Sequence, residues 1–169
     1  VTGVDDDLID GTITSTTTIS VNDAASDNNF DGVADQTVSV STTDDDVAGF
    51  TIVELDGSTT VTEAGGTDTF TVVLNAQPSS NVVISISSSD TGEATVTSLI
   101  TFTSTNWDAP QNVTVTGVDD NIIDGTQNSN LTLSIVSAIT DDDFDAVADQ
   151  TVSVSTTDDD VAGFTVSEP

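Results

Sequence analysis

The sequence has no lysine, arginine or histidine, against 26 aspartates and four glutamates. Salt bridges are therefore excluded as a way of quieting thirty carboxylates. Crowded carboxylates repel, and must be protonated, screened by salt or neutralised by bound cations. At neutral pH bound cations are the specific route. Calcium suits it, as a hard ion that takes about six to eight oxygen ligands from Asp, Glu, Asn and backbone carbonyls. The missing cations also exclude nucleic acid, because phosphate binding needs basic side chains, and adsorption to an anionic membrane surface fails for the same reason. Cysteine is absent too, so no disulfide staples the chain. Without Cys, Lys or His, nucleophilic catalysis by these residues or by a Ser–His pair is excluded. A two-carboxylate glycosidase stays formally open, but the acids recur with an internal repeat and no glycine loop cradles phosphate, so no enzyme is expected. No run of eighteen apolar residues exists to span a bilayer as a helix. No signal peptide is visible, as expected of a window from the middle of a longer array.

What is present is a repeat. Val1–Asp6 recurs at Val115–Asp120, an offset of 114 residues, and Ile9–Thr12 recurs at Ile123–Thr126. The nineteen residues Val33–Thr51 return unchanged at Val147–Thr165. Such self-similarity is the mark of a tandem array. Its frame divides the chain into residues 1–46, the back end of a preceding unit; residues 47–160, one complete unit; and residues 161–169, the start of the next. The opening fragment lacks front strands of its own, so a preceding unit is expected to complete it.

Within the unit, apolar residues alternate with period two and no helical period competes. Phe70, Val72 and Leu74 share one phase, as do Val82, Ile84 and Ile86. Further sets are Ile100 with Phe102, Val113 with Val115, Leu131 with Leu133 and Ile135, and Val152 with Val154. With Phe50–Ile52 this predicts seven strands separated by Asp/Gly/Ser/Asn/Pro turns, an all-β, Ig-like antiparallel sandwich repeated in tandem. Trp107, in a turn-like stretch, reads as a plug over one end of the core, or as a platform for a sugar.

The stretch Phe102–Gly125 (FTSTNWDAPQNVTVTGVDDNIIDG), followed by TVSVSTTDDDVAGF, resembles Calx-beta-like repeats of large bacterial surface proteins and adhesins. The segment Val61–Gly66 (VTEAGG) is similar to that family's opening strand. The resemblance covers the 114-residue unit and implies a seven-stranded sandwich whose end loops bind calcium. On it, Glu63 matches the opening-strand glutamate, Asp119, Asp120 and Asp124 match an acidic loop, and Asp158, Asp159 and Asp160 match the closing triplet. Their equivalents in the preceding unit are Asp5, Asp6, Asp10, Asp44, Asp45 and Asp46. Long insertions known in some members are lacking, which favours a lean structural module over a regulatory sensor.

The triplet Asp158–Asp160 has a physical reading of its own. Three adjacent carboxylates just after a strand, at a junction between units, repel unless a cation bridges them; the plain alternative is a solvated acidic linker. A second cluster, Asp27, Asn29, Asp31, Gly32 and Asp35, has the spacing of positions 1, 3, 5, 6 and 9 of a calcium loop. Its second copy is Asp141, Asp143, Asp145 and Asp149, with Ala146 in place of the glycine. Position 12 is Val38 or Val152 instead of a bidentate Glu, and flanking helices are not expected, so this is no EF-hand. The alternative is a hairpin loop whose Phe30 or Phe144 packs under the last strand. Asn112 and Asn130 open N-glycosylation sequons on outward strand positions.

The function expected is a non-catalytic repeat of an extracellular filament or adhesin stalk on a bacterial surface, rigidified by calcium at its junctions. Its partners are neighbouring identical repeats or protomers. The alternative is a glycan- or protein-binding module on a cell-surface protein.

Overall fold

A computed structural model describes residues 1–168, which separate into two compact units, the first Val1–Asp46 and the second beginning at Val47. In the first unit, β1 (Ile13–Ile19) and β2 (Gln36–Thr42) form an antiparallel ribbon in which Ile13 faces Thr42 and Ile19 faces Gln36. The second unit contains β3 (Phe50–Glu54), β4 (Thr59–Thr62), β5 (Thr67–Leu74), β6 (Val82–Ser88) and β7 (Ala94–Val96). After these come β8 (Leu99–Phe102), β9 (Gln111–Gly117), β10 (Gln127–Ile135) and β11 (Gln150–Thr157). Short 3-10 turns span Asn28–Phe30, Ser137–Ile139 and Asp142–Phe144. No helix of the described residues is long and apolar enough to cross a membrane.

The second unit is a β-sandwich. One sheet has the order β4-β11-β10-β6-β8 and the other β3-β5-β9-β7, with every pair antiparallel except β4 with β11. The period-two sets meet between the sheets: Phe70, Val72, Val113 and Val115 from one, Ile84, Phe102, Leu131 and Leu133 from the other, all fully buried. Each such side chain contributes about 1.5–3 kcal/mol by leaving water. The sequence pattern predicts seven strands and the unit has nine. The two additions, β4 and β7, are short edge strands of four and three residues, too brief for alternation to register.

The two units share sequence and pairing but not burial. Residues 36–42 and 150–156 are identical, and β1–β2 and β10–β11 pair in the same register, Ile13 with Thr42 and Gln127 with Thr156. Yet Val38 is 49% exposed while Val152 is 4% exposed. Only the β10–β11 pair has a second sheet over its apolar face.

Strand direction gives the sandwich two poles. The chain comes in at a leading pole, where Phe50 faces Leu74 and its carbonyl accepts from Gln150 Nε2 at 2.7 Å. It leaves at a trailing pole, where Thr157 pairs with Thr62. At this pole the sheets touch backbone to backbone: a Cβ on Gly117 would collide with the Thr62 carbonyl, so the last residue of β9 must be glycine.

Candidate metal centre

The trailing pole collects carboxylates because of how its strands end. β4 and β11 run parallel, so the residues that follow them, Glu63 and Asp158, emerge together; the Glu63 N–H donates to the Thr157 carbonyl at 3.0 Å. Two residues on, Asp160 folds back, its N–H donating to Asp158 Oδ1 at 2.7 Å, while Gly125 N–H donates to Asp158 Oδ2 at 2.8 Å. Carboxylate oxygens of Glu63, Asp158 and Asp160 all lie within 4.8 Å of one another.

These groups are short of partners. Glu63 is 1% exposed, and both of its oxygens are buried without a hydrogen bond. Glu93 Oε2 and Asp160 Oδ2 are also buried and unpartnered. A buried carboxylate with no donor or cation is among the costliest arrangements in a protein, and the chain has no basic side chain to supply either. The electrostatics record this. Burial, followed by the fields of Asp158, Asp120, Asp124 and Glu93, pushes the Glu63 carboxyl up to about 7. Glu93 is raised by burial and then by Asp124, Asp90, Asp120 and Asp158. Asp160 is raised by burial and then by Asp158, Asp159, Asp119 and Asp120. Asp158 is held low by the N–H groups of Gly125 and Asp160. The donor set of hard, crowded carboxylate oxygens fits a divalent oxygen-seeking ion such as calcium, whose binding would displace the proton that burial favours on Glu63. Glu63, Asp158 and Asp160 would hold it, with Glu93, Asp120 and Asp124 contributing negative field; the ion would supply the missing counter-charge.

Glu93 was not singled out by the sequence. It lies far from every acidic run, just before β7, yet Thr156 Oγ1 donates to its carbonyl at 3.4 Å and ties it to the trailing pole. Of the chain's four glutamates, Glu63 and Glu93 are the two with carboxylate oxygens buried and unpartnered, and nothing in the local sequence separates Glu93 from Glu54. Asp119 and Asp159 are sensed only through their effect on Asp160.

In the first unit the repeated motif rebuilds the local cradle. Asp44 Oδ2 accepts from Asp10 N–H at 3.0 Å and Gly11 N–H at 2.7 Å, and Oδ1 from Asp46 N–H at 2.9 Å. Asp6 accepts from Leu8 N–H as Asp120 does from Ile122 N–H. Asp5, Asp6, Asp10, Asp44, Asp45 and Asp46 line an open cleft. Asp44 is lowered by the N–H groups of Asp46 and Gly11. Asp46 is raised by burial and then by Asp44, Asp45, Asp7 and Asp5. Residues equivalent to Glu63 and Glu93 are not part of this unit.

The loop with calcium-type spacing does something else with its first oxygen pair. Asp141, 4% exposed, caps the 3-10 turn by accepting from Asp143 N–H at 3.2 Å. Its Oδ2 accepts from Ser79 Oγ and Ser80 N–H, each at 2.7 Å, and from Ser80 Oγ at 3.2 Å. Burial works against its charge, but these bonds hold its carboxyl below the usual range. Asp143, Asp145 and Asp149 are exposed, and among the described residues they form no three-acid group with Asp141 at ligand spacing. Phe144 is fully buried beneath the loop. The copy at Asp27 caps its turn through Asn29 N–H at 2.9 Å and Asn29 Nδ2 at 2.7 Å, with Asp31, Asp35 and Phe30 exposed. Asn112 and Asn130 lie exposed on β9 and β10. Trp107 is half-buried at the leading pole, its carbonyl accepting from Leu74 N–H at 3.1 Å.

Neither a family model nor a curated protein sequence matches the chain. Among solved structures, the chain is similar to the apo-form Calx CBD1 domain, at 17% identity and TM-score 0.48 over 68% of this chain and 100% of that one. It is similar to CBD12 from CALX1.2 at 18% identity and TM-score 0.46, over 64% of this chain and 44% of that one. Domains 4 and 5 of the S-layer protein SbsC match at 19% identity and TM-score 0.42, over 73% of this chain and 63% of that one. These likenesses concern the fold alone.

Proposed function

We propose that the second unit is a non-catalytic structural repeat of an extracellular filament or adhesin stalk on a bacterial surface, stiffened by calcium where one repeat meets the next. The observation that carries this reading is the group of buried, unpartnered carboxylate oxygens of Glu63, Glu93 and Asp160 in a chain with no basic side chain. Their place supports it as well. Asp158–Asp160 close the unit, and residues 161–165 repeat residues 47–51, which lead into β3. An ion bound there would tie the last strand, the β4 end and the linker into one body. On the same reading residues 1–46 are the back end of a like unit, whose front strands would cover Val38.

Extracellular calcium modules bind with dissociation constants on the order of 10⁻⁴–10⁻³ M. The test is a thermal melt of the chain in millimolar calcium and in chelator, with a calorimetric calcium titration. A raised midpoint and heat of binding in that range are expected. An unchanged midpoint with no binding heat would remove calcium from the account.

A further inference from the structure

The first unit has a gap where the second has a strand. In the sandwich, Val61–Gly66 leads from β4 across the trailing pole and is held there largely through its backbone. β4 lies parallel to β11, with Thr59 beside Val154 and Val61 beside Thr156. The Glu63 N–H donates to the Thr157 carbonyl at 3.0 Å, and the Gly117 N–H donates to the Gly66 carbonyl at 2.9 Å. Thr157 Oγ1 donates to the Val61 carbonyl at 3.3 Å. Residues 1–46 repeat every receiving group of this contact, since Gln36–Asp46 are identical to Gln150–Asp160 and Val1–Asp6 to Val115–Asp120. They hold no counterpart of the strand that is received. The matching positions stand open: Val1 is 95% exposed where Val115 is fully buried, and Ser15 is exposed where Ser129 is buried. Gly3, Val40, Thr42 and Thr43 line the acidic cleft at the place Val61–Gly66 takes in the second unit.

Gly3 is the sharpest of these signs. A Cβ on its counterpart Gly117 would collide with the Thr62 carbonyl, whereas a Cβ on Gly3 meets nothing nearer than Thr42 Cγ2 at 3.4 Å. Nor does Gly3 have a positive φ. Nothing within residues 1–46 requires glycine at this position, but a strand entering the cleft does.

We propose that this cleft is a socket for a strand of the Val61–Gly66 kind, supplied by the front half of another repeat and lying parallel to β2. The register is that of β4 on β11: incoming Thr59 beside Val40, Thr60 beside Ser41 and Val61 beside Thr42. An identical strand edge offers the same donors and acceptors at the same spacing, and main-chain bonds are what strand addition draws on. The entering strand also brings a glutamate beside Asp44 and Asp46, as Glu63 stands beside Asp158 and Asp160. An intact second copy is not the occupant, because its own Val61–Gly66 is already engaged. This inference rests on the tandem reading above and names the partner that reading requires, but it needs no ion.

The test extends the full chain by placing residues 47–114 ahead of Val1, which supplies a front half and restores β9 across the join. The absence of cysteine makes disulfide trapping clean. Adjacent strands lie about 4.8 Å apart, within the roughly 4.4–6.8 Å between Cα atoms that a disulfide spans. Ser41→Cys with Thr60→Cys in the added segment should therefore form a disulfide, and Ser39→Cys, two residues out of register, should not. Gly3→Ala should leave the urea midpoint of the unextended chain unchanged, yet lower the midpoint of the extended chain's first unit and prevent the disulfide. No disulfide, one formed as readily from Ser39→Cys, or an extended chain indifferent to Gly3→Ala would overturn the proposal. Dimers of the unextended chain that Gly3→Ala abolishes would also overturn it, by giving the socket to an intact second copy. Trapping in chelator as well as in calcium keeps the metal reading separate: a disulfide formed equally in both upholds the socket and counts against the ion alone.

Discussion

Replacing Glu63 by Gln separates a ligand from a merely buried residue, because the two roles predict opposite signs in the absence of metal. In chelator, the wild-type carboxyl is raised to about 7 in the folded state from 4.5. Below pH 4.5 it is protonated folded or unfolded and has no effect. As pH rises from 4.5 to 7 the unfolded chain ionises first, so stability falls, and the full loss persists above pH 7. Glutamine does not titrate; apo Glu63→Gln should therefore be more stable than apo wild type at pH 8 and equal to it at pH 4. Calcium should reverse the order. With a dissociation constant of about 10⁻⁴ M and calcium at about 2 mM, mass action stabilises the wild type by about 1.8 kcal/mol, roughly 5–10 °C in midpoint for a domain of this size. The variant should lose most of that shift. Melts of both proteins at pH 4, 6 and 8, in chelator and in calcium, decide it. An equal calcium shift in both, or an apo variant less stable than wild type at pH 8, would refute the reasoning.

Glu93→Gln should weaken calcium binding by calorimetry while leaving the chelated melt at pH 8 unharmed or improved, since it removes a second raised carboxyl. Asp141→Ala should cost about 1–3 kcal/mol in urea unfolding, the range for buried donors left without an acceptor, and should leave the calcium-induced midpoint shift intact. Gly117→Ala should lower the urea midpoint by an amount equivalent to about 1–3 kcal/mol, because its methyl has no room beside the Thr62 carbonyl. It should also reduce the calcium shift by spreading β4 from β9.

The sandwich was legible because its long strands keep an apolar residue at every second position: Phe70, Val72 and Leu74, and Leu131, Leu133 and Ile135, declare an inner face in five residues each even though Val73 adds an apolar residue on the outer phase. β4 and β7 were not, since four residues of Thr-Thr-Val-Thr or three of Ala-Thr-Val hold too few alternations to tell from a turn. For the site, Asp158 and Asp160 were visible as a charge run, and Glu63 through resemblance. Glu93 was hidden because the sheet order, which spacing along the chain does not encode, is what carries it to Thr156. The Asp141 loop shows the converse. Its spacing is local, but the serines that occupy its oxygens come from about sixty residues away.

The parallel pairing of β4 with β11 has a mechanical consequence. A chain pulled by its ends loads β3 from the leading pole and β11 from the trailing pole, along the strand axes. The inter-strand bonds lie across that direction, so they meet the force side by side in shear and do not peel one after another. Under the proposed stalk role, such a unit should yield late and all at once when the chain is pulled.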